Sequence, residues 1–185
     1  NYKGIHSSSD LKIVLVGNNS IVDGSEKNID GIYVEKGNLT LTGTGNLSIA
    51  VSDEDCYGIE VDYGDLIIDM QGDLDVDTVK SCIITNQNID IKNCGNLIID
   101  SAYDGIFSSY NINISSKNDI DIMAGLDGIH SEYGLVTLSG SGNINIKAND
   151  EKCTLYLETL TTQYDFETGK YISTTGKATK VKEFN

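Results

Sequence analysis

The sequence predicts an all-β fold, a right-handed parallel β-helix of about six to seven coils with three short strands in each. Three observations predict it. A Gly-Ile unit opens at residues 4, 31, 58, 105 and 128, with Cys82-Ile83 in its place once, so the starts step by 27, 27, 24, 23 and 23 residues. A period in that range marks a solenoid, propeller or array. Apolar pairs two residues apart follow each opening, which is the period of a strand whose side chains alternate between faces. Proline is absent from the whole chain, as suits central strands in which a missing N–H would break the ladder.

Each element follows from that grammar. The openings align Ile5, Ile32, Ile59, Ile83, Ile106 and Ile129 as one inward column. The second strands carry Leu11/Ile13, Leu39/Leu41, Leu66/Ile68, Ile89/Ile91, Ile112/Ile114 and Val136/Leu138. The third strands carry Leu47/Ile49, Leu74/Val76, Leu97/Ile99, Ile120/Ile122 and Ile144/Ile146. From the second coil to the sixth these pairs stay eight residues apart, so a corner of constant geometry joins them. Gly45-Asn46, Gly72-Asp73, Gly95-Asn96, Asn118-Asp119 and Gly142-Asn143 occupy it, and they predict a left-handed backbone there. Stacked at the strand spacing of ~4.8 Å, six coils make a rod roughly 25–30 Å long.

Coil one, residues 4–30, is the least regular, and Val14 and Val16 make its strand apolar on both faces, which predicts a covering segment. Coils two (31–57) and three (58–81) have the longer loops, among them the acidic Ser52-Asp53-Glu54-Asp55-Cys56-Tyr57. Coils four (82–104) and five (105–127) are the tightest, and coil six (128–152) ends in Asn149-Asp150-Glu151-Lys152. The β-helix is expected over 1–153. Residues 154–185 are expected to hold a partial last coil, a hairpin at Thr168-Gly169 or an irregular cap, and a frayed lysine-rich tail of the same domain. The start at Asn1 reads as that of a mature or trimmed fragment.

Acidic residues outnumber basic ones 28 to 13, the net charge is −15, and every basic residue is a lysine. A nucleic-acid partner needs a clustered positive face, which this composition does not supply. An anionic membrane surface is excluded on the same ground, and no apolar run is long enough to cross a bilayer. Cys56, Cys82, Cys94 and Cys153 allow three pairings. Cys82 and Cys153 lie too many coils apart for a disulfide, and Cys94 sits at a corner on another edge, so buried free thiols are expected. No spacing of cysteine and histidine suggests zinc.

In a solenoid, equivalent residues stack into rows. The residue before each opening reads Lys3, Asp30, Tyr57, Ser81, Asp104 and Asp127; five before each opening come Glu26, Asp53, Asp77, Asp100 and Met123. Carboxylates stacked at ~4.8 Å repel unless a cation bridges them, and calcium favours clustered carboxylates in loops. Asp30, Asp104 and Asp127, with Asp53, Asp77 and Asp100, are therefore candidate calcium ligands, Asp104 and Asp127 as an adjacent pair. The bland alternative is that each Asp caps its own turn before glycine. A second row, Ser9, Lys36, Tyr63, Gln87, Tyr110 and Tyr133, runs beside Ser8, Glu35, Asp62, Asn86, Ser109 and Glu132. Flat rings suit sugar stacking, so Tyr63, Tyr110, Tyr133 and Glu132 are candidate ligand-binding residues, although tyrosine also fits pleated surfaces for its own sake. His6 and His130 occupy equivalent outward positions too far apart to cooperate, and each reads as a surface histidine.

The unit Asp127-Gly128-Ile129-His130, followed by a short strand and a Gly-Asn corner, resembles the repeat of the bacterial secreted carbohydrate-binding β-helix proteins of clostridia and their relatives. The likeness covers roughly residues 30 to 150 and is clearest from 100 to 148. Tyr57 and Ser81 stand where the unit elsewhere has Asp, and no doubled Asp-Asp precedes a glycine. The resemblance implies a secreted or cell-surface protein that binds extracellular polysaccharide, of acidic pectin type, with calcium as cofactor.

The leading expectation is thus a noncatalytic polysaccharide-binding module. The alternative is a structural or adhesive cell-surface module without a sugar ligand, with flanking domains or end-to-end self-association. An enzyme is the lesser reading. Lyases on this fold resemble one another in using a basic residue, typically arginine, and this chain has none. Hydrolysis needs paired carboxylates ~5–10 Å apart in a cleft, and the short loops supply no walls.

Overall fold

From coil one to coil six, every expected strand finds its partner one coil away. The structure, a computed structural model, describes residues 2–23, 29–148, 161–165 and 170–174, with side chains over 4–23 and 30–148. The first sheet stacks Tyr2–Ser7, Ile29–Lys36, Ile59–Tyr63, Ile83–Thr85, Ile106–Ser108 and Ile129–Ser131, all parallel. The second stacks Leu11–Leu15, Leu39–Gly43, Leu66–Met70, Ile89–Cys94, Ile112–Ser116 and Val136–Gly140. The third stacks Asn18–Val22, Asn46–Val51, Leu74–Thr78, Leu97–Ser101, Ile120–Ala124 and Ile144–Ala148. In the first sheet Ile5, Ile32, Ile59, Ile83, Ile106 and Ile129 stand in register, as their spacing predicts. Coil one has its third strand too, where Asn19 and Ile21 pair with Leu47 and Ile49.

The core is the meeting of the three inward columns. Ile32, Leu39, Leu41, Ile59, Leu66, Ile68, Ile89 and Ile91 are fully buried, and each such side chain contributes about 1.5–3 kcal/mol by leaving water. Leu11, Ile13 and Ile21 of coil one are only partly buried. Val14 and Val16 are exposed, at 63% and 74%, so no described segment covers them. Cys56, Cys82 and Cys94 are buried, and Cys82 and Cys94 are free thiols, as expected. Cys153, Glu26 and the run 149–152 lie outside the described residues. No helix among the described residues is long and apolar enough to cross a membrane.

The corners correct the expectation. Among the described residues positive φ occurs at Gly17, Gly37, Gly43 and Asn93, and not at Gly45, Gly72, Gly95, Asn118 or Gly142. Close stacking, rather than a left-handed backbone, explains the corner glycines. A Cβ on Gly45 would lie 2.6 Å from the Gly17 carbonyl oxygen, and one on Gly95 would lie 2.5 Å from Asp73 Oδ1. The second residue of each corner pair supplies the bond between coils. Asn46 Oδ1 accepts the Asp73 N–H at 2.9 Å, Asp73 Oδ1 accepts that of Asn96 at 2.7 Å, Asn96 Oδ1 that of Asp119 at 3.3 Å, and Asp119 Oδ1 that of Asn143 at 2.7 Å. A second ladder runs through Asp10, Asn38, Asp65, Asn88 and Asn111 between the first and second sheets. These side chains satisfy amides that a turn would otherwise leave without a strand partner.

Beyond coil six the stacking changes sense. Thr161–Asp165 joins the second sheet antiparallel to Val136–Gly140, through Val136 and Thr162, and Lys170–Thr174 pairs antiparallel with it.

Candidate functional site

Alternate residues of each strand face outward, so each sheet offers one outer face. The three faces differ in chemistry. The second presents Thr40, Thr42, Ile67, Asp69, Asp90 and Lys92, and the third presents Ser48, Asp75, Asp77, Ile98 and Asp100. Among the residues whose side chains are described, neither carries an aromatic ring. Every tyrosine and phenylalanine with a described side chain lies on the first sheet or in the turns beside it. Tyr33, Tyr63 and Phe107 stand on the strands, Tyr57 and Tyr103 lead into them, and Tyr110 and Tyr133 leave them. His6 stacks on Tyr33 with ring centroids 5.2 Å apart, and His130 meets Phe107 edge-on at 5.1 Å. Lys80 Nζ rests 3.8 Å over the Tyr57 ring and donates to the Asp55 carbonyl. The Tyr33 hydroxyl donates to Asp62 Oδ2 at 2.7 Å, which together with burial holds this phenol far above its ordinary range.

The row of Tyr63, Gln87, Tyr110 and Tyr133 edges this face. Tyr63 is 68% exposed, Tyr110 46% and Tyr133 59%. Their turns are held from inside by hydroxyls. In coils two and three the last inward residue of the first sheet is Val34 or Val61, but in coils four to six it is Thr85, Ser108 or Ser131. Thr85 Oγ1 donates to the Gly64 carbonyl and accepts the Gln87 N–H. Ser108 Oγ donates to the Gln87 carbonyl and accepts the Tyr110 N–H at 3.0 Å, and Ser131 Oγ donates to the Tyr110 carbonyl at 2.6 Å. The Tyr133 N–H reaches the Ser109 carbonyl at 2.9 Å, which sets Tyr133 one coil beyond Tyr110. Glu132 stands exposed beside them, with Ser109 Oγ donating to its Oε2 at 3.3 Å. A hydrogen bond from Tyr133 to Glu132 raises the phenol. Tyr63 is separated from Tyr110 by the coil that carries Gln87.

The expected metal ligands do not gather into one row. Asp30 is buried and accepts the Tyr57 N–H at 2.9 Å. Asp77 and Asp100 are in register on the outer face of the third sheet, but the residue aligned with them in coil two is Ala50. Asp53 lies in the loop beyond, accepting the Asp55 N–H. Counting back from glycine misplaces it because the loops before the openings differ in length. Asp104 and Asp127 do come together. Asp104 Oδ1 accepts the Asp127 N–H at 3.1 Å, so this Asp, like Asp30, caps the next coil instead of its own turn. His130 completes the cluster, its Nδ1 3.2 Å from Asp127 Oδ2. One ligand atom from each of the three lies within 4.8 Å of the others. Burial is the main cause that raises the Asp104 carboxyl and the Asp127 charge adds to it, while the Asp127 N–H and His130 oppose.

Sequence reasoning missed Tyr33, Phe107 and the role of His130. A signal for the first two existed. Tyr33 and Phe107 fall two residues after the opening glycine, and Tyr63, Tyr110 and Tyr133 fall five after it. His130 gave no comparable sign, because a three-residue separation brings side chains together in a helix and in this particular turn, but not along a strand.

A family model described as carbohydrate-binding domain-containing protein matches residues 4–183. No curated protein and no solved structure matches the chain.

Proposed function

Because this chain belongs to the family of carbohydrate-binding domain-containing proteins, we propose that it is a noncatalytic polysaccharide-binding module of a secreted or cell-surface protein, and that its glycan lies against the first sheet. The single observation that carries this reading is that the aromatic rings with described positions lie on one of three sheets with equivalent backbones, or in the turns that flank it. If tyrosine were present only because it suits a pleated surface, it would be spread over all three. Exposed tyrosine rings offer sugar rings apolar contact beside the polar groups of the same face. Tyr110 and Tyr133, one coil apart, with Glu132 as an acceptor beside them, are the centre of the site.

A finer reading keeps an acidic, pectin-like glycan bridged by calcium, and the adjacency of Asp104 and Asp127 favours it. The donor set fits calcium poorly. Calcium takes six to eight oxygens, whereas this trio includes an imidazole, a ligand for zinc, copper, iron or nickel, and one Asp104 oxygen already serves a backbone amide. The stacking reading therefore stands without the ion.

Retention on immobilised polysaccharides tests the function. Wild-type protein is expected to be retained with and without EDTA and to release no reducing or unsaturated sugar ends. Tyr110→Ala and Tyr133→Ala should each weaken retention about tenfold, while Thr40→Ala on the second sheet should leave it unchanged. Retention equal in all the variants would remove the site, and failure to bind any glycan would favour a structural or adhesive role.

A further inference from the structure

The row that edges the first sheet repeats with the coils, and its period constrains what can lie on it. Lys36 and Tyr63 are paired in register, and Tyr133 is set one coil beyond Tyr110 by its backbone bond to Ser109. Successive members are thus one strand spacing apart, ~4.8 Å, close to the advance of one pyranose in an extended, equatorially linked chain. A ligand running along the rod axis would meet the same environment once per sugar. A ligand running across the rod would leave the row after one ring and cross Asp62, Glu35 or Glu132 on one side and the corner ladder of Asp65, Asn88 and Asn111 on the other.

The row is also rigid in the way a repeating ligand requires. Thr85 and Ser108 are buried at 1% and 0% exposure. Their hydroxyls, with that of Ser131, tie each turn both to itself and to the coil before. Backbone positions are therefore fixed from the inside while the rings of Tyr63, Tyr110 and Tyr133 are left outward, which lowers the ordering cost of binding.

Charge selects among linear glycans. Asp62 flanks the row at Tyr63, Glu132 flanks it at Tyr133, and the whole chain carries −15. Lys36, the row's own cation, is 3.4 Å from Glu35. A polyuronate laid along the axis would bring a carboxylate to each coil of an already acidic edge.

We propose that Tyr63, Gln87, Tyr110 and Tyr133 form a track for one strand of a linear, carboxylate-free polysaccharide lying along the rod axis, one sugar ring to each coil. The proposal rests on the polysaccharide-binding reading above and adds direction, register and charge to it. Gln87, in the coil between Tyr63 and Tyr110, offers its amide to ring hydroxyls. Ser108 acts as a positioning residue, holding the turn of Tyr110.

Calorimetric titration of the full chain, in EDTA, with β-1,4-linked glucose and N-acetylglucosamine oligomers from dimer to hexamer tests it, with oligogalacturonides as the acidic series. Affinity is expected to climb with each added sugar up to the tetramer and then level off, because the row spans four coils. Oligogalacturonides of equal length should bind at least about tenfold more weakly. Tyr63→Ala should weaken the tetramer about tenfold and leave the dimer unchanged, since a dimer is satisfied by Tyr110 and Tyr133. Thermal melting would verify that this exposed substitution leaves the fold intact. Affinity independent of chain length, equal loss for dimer and tetramer, oligogalacturonides bound as tightly, or binding confined to branched or helical glycans would each overturn the track while leaving the polysaccharide-binding reading in place. No binding to any glycan, neutral or acidic, would overturn both.

Discussion

Cys82 stands where the other coils have glycine, and its thiol is enclosed by polar atoms of two coils. Sγ lies 3.2 Å from the Val76 carbonyl, 3.1 Å from that of Asp100 and 3.3 Å from Thr78 Oγ1. Burial pushes this thiol up from 9.0 to about 12, and pushes Cys94 up to about 11. The folded state thus favours the neutral thiol. Below pH 9 both states hold the proton and nothing is lost. As pH rises from 9 the unfolded chain ionises first, so stability falls, until pH passes 11 for Cys94 and 12 for Cys82. Each thiol costs about 1.4 kcal/mol per pH unit in that window. Urea unfolding at pH 8 and pH 10 should therefore show a drop between the two, and Cys82→Ala should show a smaller one. An equal drop in the variant would mean that the thiol is not shielded as the structure has it. The expectation of free buried thiols was legible in the sequence, because a rod separates cysteines by whole coils. Their depth was not, since Cys82 replaces a residue with no side chain.

At the scale of the element, the corners are built by side chains more than by backbone conformation. In the ladder Asn46, Asp73, Asn96, Asp119 and Asn143, no carboxylate follows another. Asn96 Nδ2 donates to Asp73 Oδ1 at 3.1 Å, and Asn143 Nδ2 donates to Asp119 Oδ1 at 3.3 Å. The amide thus neutralises the oxygen of the coil before while its own oxygen accepts from the coil after. Asn96→Asp would remove the donor and set three carboxylates in a line. It should destabilise the protein by about 1–2 kcal/mol at neutral pH and low salt, with the loss reduced in high salt; denaturant melts at two ionic strengths would measure it, and a salt-independent loss would refute the electrostatic account. The strands were legible because apolar pairs recur at fixed intervals, and every register inferred from them holds. The corner was legible as a place but not as a mechanism. Glycine next to asparagine suggests an unusual backbone angle, whereas in a stacked coil the same residue is demanded by a carbonyl one coil away. Coil one's third strand escaped notice because Asn19 interrupts its apolar pair. The position of Asp53 failed because loops of unequal length break the count between openings.

On the whole molecule, repetition makes one sheet a binding face and leaves two as scaffold. That partition follows from where Tyr and Phe fall in the repeat, so it could be read from the sequence once the period is known, as could the adjacency of Asp104 and Asp127, while the approach of His130 to them needed the turn itself. The trio also decides what calcium can do. A chain at −15 gains stability from any added cation by screening, so a rise in Tm with calcium alone is no sign of a site. An ion held in place stabilises by RT ln(1 + [L]/Kd), about 2.7 kcal/mol at one hundred times Kd, and does so only while its ligands remain. With an imidazole in the donor set, calcium should raise Tm no more than magnesium at the same concentration. Asp127→Asn should leave that rise unchanged. A rise specific to calcium and abolished by Asp127→Asn would place the ion in the cluster. It would then shift the balance toward an acidic glycan, since a bound divalent cation is the one feature that could draw a uronate onto so negative a face.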